Sequence, residues 1–301
     1  MRRALLALQV LATPVMAETW PALVLQSEHP VEGMRGGNLS GLVVCQGEMW
    51  AVSDRDDDQI YRLDTRYPEW LAEAVSLHLP QPPKTGLPWG VRMMGKAISP
   101  LRGGDLDFEG ITCDAAGNRY VVSESHAGVV LIAPQGNASW LKIDAGLVRQ
   151  ARASGMLLHF NALFEGIAIN PQGNQIWLAA ERERRGLLTL HKKQSVWACE
   201  DSCVIMSEAG PQQPPPQLKA KSQAKDFADL AVFEGKLFTL ERMAYRVCRR
   251  TPATGHVERC WSFANDALTA ARRYASAYGN AEALSVDAQG AWIGVDNGNH
   301  V

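Results

Sequence analysis

Five copies of one short pattern in the 301-residue sequence predict an all-β fold, a β-propeller with five four-stranded antiparallel blades around a central channel. Each copy has two apolar runs on either side of a turn, and acidic or small residues stand near its two ends. The copies are residues 39–54, 108–124, 164–181, 227–241 and 281–296. They recur every 53–69 residues, which leaves room for a blade and its loops. A sixth blade fits only if the longest interval holds a degenerate copy.

Each copy predicts a β-hairpin. Its apolar runs are short and rich in Val, Ile, Leu and aromatic residues, and turns such as Asn170-Pro-Gln-Gly173 separate them. Four further apolar segments fit as third strands: residues 59–64, 129–133, 187–190 and 245–248.

The remaining segments complete the predicted ring. Too few residues follow the start of the last copy to finish a blade, so we expect residues 20–26 to add its missing outer strand. Residues 81–88 and 211–217 are Pro-rich and predict loops.

The N-terminus predicts export. Residues 1–17 combine Arg2 and Arg3, a short apolar run and a small residue, Ala17, at the expected cleavage point. The alternative is a short buried N-terminal helix. We therefore expect a periplasmic or secreted protein in which residues 18–301 form a single domain.

Charge and hydropathy exclude some classes of partner. Lys and Arg number 30 against 32 Asp and Glu, a balance that argues against binding nucleic acid through a broad basic surface. Beyond the N-terminus no run approaches the roughly 20 apolar residues of a transmembrane helix. The expectation is a monomer without a transmembrane segment, whose partner is a small anionic or ester substrate.

Six cysteines in an exported chain favour disulfides, although six allow 15 pairings. Cys248 and Cys260 flank a turn and fit across a hairpin, while Cys199 and Cys203 close a tight loop. The remaining two, at 45 and 113, hold similar places in two copies of the pattern. A structural zinc site is the alternative, but no CxxC pair supports it.

Acidic residues mark both ends of the copies. The start of the first strand of an antiparallel hairpin lies beside the end of the second, so the opening and closing acids should meet. In a propeller all such pairs converge on one mouth of the channel. The predicted ring is Glu109 with Glu124, Glu165 with Glu181, Asp229 with Glu241, Glu282 with Asp296, and Asp54 from the first copy.

Crowded carboxylates need protons, basic partners or a cation. Because all the ligands are hard oxygens, calcium is the cofactor that the ring favours. Arg55, Arg182 and Arg242 directly follow closing acids, and His126 follows the acid of the second copy by two residues. We interpret these four as candidate catalytic residues, with the arginines gripping an anionic group over the metal. Asn297 follows the last acid.

A structural interpretation stands beside the metal. The opening acids can accept hydrogen bonds from neighbouring blades, and the arginines can pair with the acids, so that the pattern serves only the fold. The acidic run 56–58 lacks EF-hand spacing and fits a solvated loop better than a calcium loop.

The strings Phe164-Glu-Gly-Ile167, Leu39-Ser-Gly-Leu42 and Trp50-Ala-Val-Ser-Asp-Arg55, with the segment 104–111, resemble the family called esterase-like activity of phytase. The resemblance spans the mature chain and implies an exported phytase-like propeller. The Glu-Gly openings are also similar to gluconolactonase-type propellers, where the corresponding acid is a metal ligand. That similarity implies the same role for Glu109, Glu165 and Glu282.

Two functional hypotheses follow. The first is a calcium-assisted hydrolase of phosphate or carboxylic esters, with metal on the opening acids and with Arg182 and Arg242 stabilising developing negative charge. The second is a non-catalytic propeller that binds a ligand or a protein on the same face. Motifs of serine hydrolases, zinc proteases and P-loop enzymes are absent from the sequence.

Overall fold

The computed structural model describes residues 20–102, 104–273 and 280–296 and shows an all-β chain in a propeller-like arrangement. The first blade is a five-stranded sheet in the order β1-β5-β4-β3-β2. Its strands are β1 (Val31–Glu32), β2 (Leu39–Cys45), β3 (Glu48–Ser53), β4 (Gln59–Asp64) and β5 (Trp70–Ser76). The helix α1 (Trp89–Arg102) connects this blade to the second.

The second and third blades run outward from the axis in chain order. The second has strands β6 (Phe108–Cys113), β7 (Arg119–Ser123), β8 (Gly128–Ile132) and β9 (Ala138–Trp140). The helix α2 (Gly146–Ala153) follows it. The third has β10 (Phe164–Ile169), β11 (Gln175–Ala180), β12 (Arg184–Lys193) and β13 (Val196–Ala198), and β14 (Val204–Ala209) also pairs with β12.

The last part of the chain contributes a fourth blade and a hairpin. A small ribbon of β15 (Pro211–Gln212) and β16 (Gln223–Ala224) precedes them. The fourth blade has β17 (Asp229–Phe233), β18 (Lys236–Glu241), β19 (Arg246–Arg250) and β20 (Val257–Ser262). After the short helix α3 (Ala264–Ala267), β21 (Ala281–Asp287) and β22 (Gly290–Val295) form a two-stranded sheet.

The described residues form four blades, so the prediction of five or six four-stranded blades is wrong. The fifth copy of the pattern gives only the hairpin β21–β22, and β21 contacts β17 on one side and β2 on the other. The N-terminal segment does not extend this hairpin. Instead Ala22 forms a parallel bridge with Ser262 in β20, at the outer edge of the fourth blade.

The hairpin predictions are confirmed in all five copies. The pairs β2–β3, β6–β7, β10–β11, β17–β18 and β21–β22 are antiparallel. The predicted third strands correspond to β4, β8, β12 and β19. The helix α1 was not predicted, because the Pro-rich loop before it gave no sign that a helix follows.

Three disulfides join the six cysteines. Cys45 is bonded to Cys113, which ties the inner hairpin of the first blade to that of the second. The pairs Cys199–Cys203 and Cys248–Cys260 close the tight loop and the β19–β20 hairpin, as the spacing predicted. None of the helices in the described ranges has the length and hydrophobicity to cross a bilayer.

The apolar core lies between neighbouring blades. Side chains such as Val122 and Val129 of the second blade pack with Ile167 and Leu178 of the third. A corresponding layer joins the first and second blades around Phe108. Packing between the blade faces therefore fixes how the blades are arranged around the axis.

Close packing of the inner strands requires glycine. A Cβ atom on Gly166 would lie 2.7 Å from Cα of Asp229 and 2.8 Å from the backbone nitrogen of Leu230 in the next blade. A Cβ on Gly110 would lie 2.9 Å from the carbonyl oxygen of Glu165. The backbones of adjacent blades thus touch at the positions that follow Glu109 and Glu165.

We expect Gly166→Ala to lower the free energy of unfolding by about 1–3 kcal/mol, because the added methyl meets backbone and cannot be accommodated by a side-chain rotation. Urea denaturation of the purified protein measures the change. Gly95→Ala is the matched control, since nothing lies within 4 Å of a Cβ there and alanine favours the helix. Equal stability of the two variants would contradict the assigned contact.

Candidate functional site

A cavity of about 280 Å³ lies at the mouth of the channel where the inner hairpins begin and end. Its walls are almost entirely polar. The lining residues are Asn38, Leu39, Ser40, Asp54, Arg55, Asp107, Glu109, Glu124, Asn161, Glu165, Glu181, Arg182, Arg242, Glu282 and Asp296. Eight acids and three arginines among the described residues therefore face one small space.

β-Bulges place the opening acids. The strand register shifts between Phe108 and Gly110, and the bulged residue between them is Glu109. The same shift occurs at Glu165, at Glu282 and at Ser40 of the first copy. Because a bulge re-aims a side chain out of the regular alternation, it explains why these residues reach the axis.

The closing acids are the first residues after their strands. Asp54, Glu124, Glu181 and Asp296 directly follow β3, β7, β11 and β22. Each therefore stands at the same end of a hairpin as the bulge. The predicted convergence of opening and closing acids holds for the second, third and fifth copies, and Asp54 of the first copy, which opens with Ser40, lines the same cavity.

The fourth copy departs from this pattern because its register has no bulge. Asp229 is fully buried and lies outside the cavity lining. Its carboxylate accepts hydrogen bonds from the backbone N–H groups of Leu230 and Leu284, both at 2.7 Å. Burial raises the pKa of this carboxyl. Asp229 therefore connects the fourth blade to β21, as the structural interpretation of the opening acids anticipated.

Glu241 also lies outside the cavity, in a buried cluster with three arginines. Its carboxylate pairs with Arg185 at 2.9 Å and with Arg246 and Arg250 at 2.6 Å each. Burial alone would raise the pKa of Glu241, but the three guanidinium groups lower it to about 2. The guanidinium of Arg185 also stacks on the ring of Phe227, 4.2 Å from the ring centre. The cluster is structural, so Glu241 does not join the predicted metal ring.

Arg242 is enclosed by three carboxylates. It pairs with Glu181 at 2.8 Å, with Asp226 at 3.2 Å and with both oxygens of Glu282. Its side chain is only 11% exposed. These contacts offset part of the negative charge on one side of the cavity and leave Arg242 poorly placed to meet a substrate, in contrast to the sequence prediction. Asp226 was missed because it precedes the fourth copy.

Arg55 and Arg182 stand at the rim, and their side chains are 43% and 41% exposed. The side-chain oxygen of Asn38 accepts hydrogen bonds from Nε and Nη2 of Arg55 at 2.8 and 3.0 Å. The carbonyl oxygen of Asn161 accepts one from Nη2 of Arg182 at 2.6 Å. An asparagine thus braces each exposed arginine. Both asparagines lie outside the acidic pattern and were not predicted.

Five carboxylates form the other side of the cavity. They form two groups of three residues, and within each group one carboxylate oxygen per residue lies within 4.8 Å of the other two. One group is Asp54, Asp107 and Glu109, and the other is Glu109, Glu124 and Glu165. We call these the first group and the second group. Asp107 is 2% exposed and was missed, although it stands directly before the Phe-Glu-Gly string.

Electrostatic repulsion is strong on this side. Burial raises the pKa values of Glu109, Glu124 and Glu165 well above the ordinary range, and neighbouring carboxylates raise them further. Burial, with the charge of Asp107, raises the pKa of Asp54 to about 7. The carboxylates therefore either take up protons near neutral pH or share a cation.

The residues fit a hard divalent cation. All the ligand atoms of both groups are carboxylate oxygens, which calcium prefers. Glu181, whose carboxylate lies within hydrogen-bonding reach of Glu165, is 1% exposed, and its Oε2 meets no N–H or hydroxyl donor among the described residues. A buried oxygen without a donor is the kind of atom that a cation satisfies.

His126 does not line the cavity. Its ring lies 6.0 Å from that of Trp140, and Nδ1 is 3.5 Å from the hydroxyl of Ser123. Burial lowers its pKa, although acidic neighbours oppose this. The predicted catalytic role of His126 finds no geometric support. Asn297 lies outside the described residues.

The acidic run that follows the first copy is structural rather than a simple solvated loop. Asp56 is buried and pairs with Arg35 at 2.7 Å. Asp57 accepts hydrogen bonds from the backbone N–H groups of Asp105 and Leu106 at 2.5 and 2.8 Å. These bonds hold the segment that carries Asp107 into the cavity.

The chain is similar to one protein family and to several solved structures. The model of the phytase-like family, esterase-like activity of phytase, matches residues 35–199. No curated protein sequence matches the chain.

Three solved structures show likeness at low identity. A glutaminyl cyclase of Myxococcus xanthus is 11% identical over 90% of this chain and 94% of that chain, with a TM-score of 0.48. A gluconolactonase of Xanthomonas campestris is 10% identical over 86% and 69%, with a TM-score of 0.43. A virginiamycin B lyase of Staphylococcus aureus is 12% identical over 87%, with a TM-score of 0.41, and this chain spans 64% of that protein.

Removal of the charge on Glu241 should destabilise the fold. We expect Glu241→Gln to lower the free energy of unfolding by about 3–5 kcal/mol, because buried arginines would lose their counter-charge. Urea denaturation measures the loss. The control is Glu73→Gln on the outer strand of the first blade, where the side chain is 51% exposed and pairs with Arg62. A loss below about 1 kcal/mol for Glu241→Gln would contradict the structural role.

The acidic cavity should also make stability depend on pH. The pKa of Asp54 rises from 3.8 in the unfolded chain to about 7 in the fold, so between these values the folded state binds more protons. The contribution of the Asp54 carboxyl to the free energy of unfolding in EDTA is then full near pH 4 and is lost as pH rises through 7. We expect the Tm of wild type to fall by several degrees between pH 5.5 and 8.

Asp54→Asn is the matched variant for this test. Its Tm should change less over the same range than that of wild type, because the variant lacks both the Asp54 carboxyl and the effect of its charge on Glu109. Parallel curves for the two proteins would show that Asp54 is not the group responsible.

Proposed function

We propose that this chain, which belongs to the phytase-like family called esterase-like activity of phytase, is an exported calcium-assisted hydrolase of phosphate or carboxylic esters. The observation that carries the proposal is the pair of carboxylate groups at the channel mouth, beside two exposed arginines. Such a site offers oxygen ligands for a cation and guanidinium groups for an anionic substrate.

The metal would be held by Asp54, Asp107, Glu109, Glu124 and Glu165. When bound, a divalent cation supplies Lewis-acid polarisation of an ester oxygen and stabilises negative charge. Glu181 and Glu282 bind Arg242, which fixes their side chains at the cavity wall.

The arginines at the rim would bind the substrate. Arg55 and Arg182 retain N–H donors beyond those used by Asn38, Asn161 and Glu181. A guanidinium group with free donors suits a phosphate or carboxylate. Binding there would orient the ester over the carboxylate side of the cavity.

Export is part of the proposal. Residues 1–17 have the features of a signal peptide, and three disulfides form most readily in an oxidising compartment. A periplasmic or secreted location accounts for both.

The experiment is thermal unfolding of the purified protein in EDTA and in millimolar calcium, followed by hydrolysis assays with phosphomonoesters, phosphodiesters and carboxylic esters. At a calcium concentration 100 times Kd, binding to the folded state adds about 2.7 kcal/mol of stability, so the Tm should rise by several degrees. Turnover should require calcium. Glu109→Gln should abolish both effects, whereas Glu73→Gln should retain them.

Substitution of Arg182 at the rim separates substrate binding from metal binding. Arg182→Gln should keep the calcium-dependent rise in Tm but weaken hydrolysis of anionic esters, mainly by raising KM. A calcium-dependent rise in Tm without turnover on any ester would favour the non-catalytic binding propeller. Absence of both would overturn the proposed function.

A further inference from the structure

We infer that the cavity holds two divalent cations, with the Glu109 carboxylate shared between them. The inference rests on the proposed function and specifies its metal centre. The first group would hold one cation and the second group the other. The ligand class is a hard, oxygen-seeking ion such as calcium.

The distances favour two centres. Calcium lies 2.3–2.6 Å from its ligand oxygens, so the oxygens around one ion are at most about 5 Å apart. Each group of three satisfies that limit, because its ligand atoms lie within 4.8 Å of one another. Among the described residues the five acids form two such groups and not a single larger one, and only Glu109 belongs to both.

The blades explain the separation of the groups. Asp54 follows β3 of the first blade, whereas Asp107 and Glu109 stand at the start of the second. The second group combines Glu109 and Glu124 of the second blade with Glu165 of the third. Each cation would therefore sit at the boundary between two blades, and Glu109 lies between the two boundaries.

Charge balance also favours two ions. The five acids carry five negative charges when ionised, and one divalent cation would leave three of them uncompensated in a partly buried space. Arg55, 3.8 Å from Asp54, offsets one of these charges, and Arg242 does not make up the rest, because it already pairs with Glu181, Asp226 and Glu282. Two divalent cations bring the net charge of the five acids to minus one.

A buried oxygen beside the second group supplies an independent observation. Oε2 of Glu181 meets no N–H or hydroxyl donor among the described residues, the Glu181 carboxylate lies within hydrogen-bonding reach of the Glu165 carboxyl, and the residue is 1% exposed and lines the cavity. Its other oxygen accepts from Arg182 and Arg242. Oε2 is thus available as a further ligand on the side of Glu165.

The test counts calcium ions rather than turnover. Equilibrium dialysis and isothermal titration calorimetry of the full chain should give two calcium ions for wild type. Asp107→Asn should weaken one site at least tenfold and change the other less than threefold. Glu165→Gln should weaken the site of the second group at least tenfold and change the site of the first group less than threefold. Glu109→Gln should weaken both sites, and Glu73→Gln should leave both unchanged.

Near-UV circular dichroism establishes that each variant keeps its tertiary structure. Terbium luminescence gives a second count of the sites in wild type and in the two single-site variants. A single calcium ion in wild type, weakened alike by Asp107→Asn and Glu165→Gln, would overturn the inference while the proposed function stands. Absence of calcium binding in wild type would overturn both.

Discussion

The contact between the backbones of neighbouring inner strands determines the geometry at the axis. Gly41, Gly110 and Gly166 allow one strand to approach the next so closely that a methyl group would collide with backbone or a neighbouring side chain. The bulge before each glycine turns the preceding side chain inward. Close approach and inward-facing acids are therefore produced by the same local structure, and the acidic cavity follows from the way the ring is packed.

The cavity is electrostatically divided. Arg242 compensates Glu181, Glu282 and Asp226 on one side, while the first and second groups crowd the other. If every copy had supplied one opening and one closing acid, the carboxylates would have been spread evenly around the axis. The division arises because Asp229 and Glu241 of the fourth copy lie outside the cavity, whereas Arg242, which follows Glu241, lines it. It gives the cavity one wall suited to cations and one wall whose carboxylates already pair with arginine.

Sequence reasoning found the elements that repeat and missed those that do not. The hairpins, the third strands and most of the inward acids followed from turns and spacing. Leu230 stands where three other copies have glycine, and this substitution could have signalled that the fourth copy departs from the pattern. Asp107 and Asp226 precede their copies, and the arginines around Glu241 come from separate strands, so pattern matching could not bring them together. Blade number depended on outer strands, which carry no common motif.

The ends of the described chain meet in the fold. The backbone N–H of Leu25 donates to Asp266 across 241 positions, and β21 lies against β2. Contacts between such distant residues carry a large entropic cost of loop closure and form slowly. Blades built from local hairpins can therefore form early, while the ring closes last. Assembly of the carboxylate cavity then marks the end of folding, and an incomplete chain would present the acids without the enclosure that brings them together.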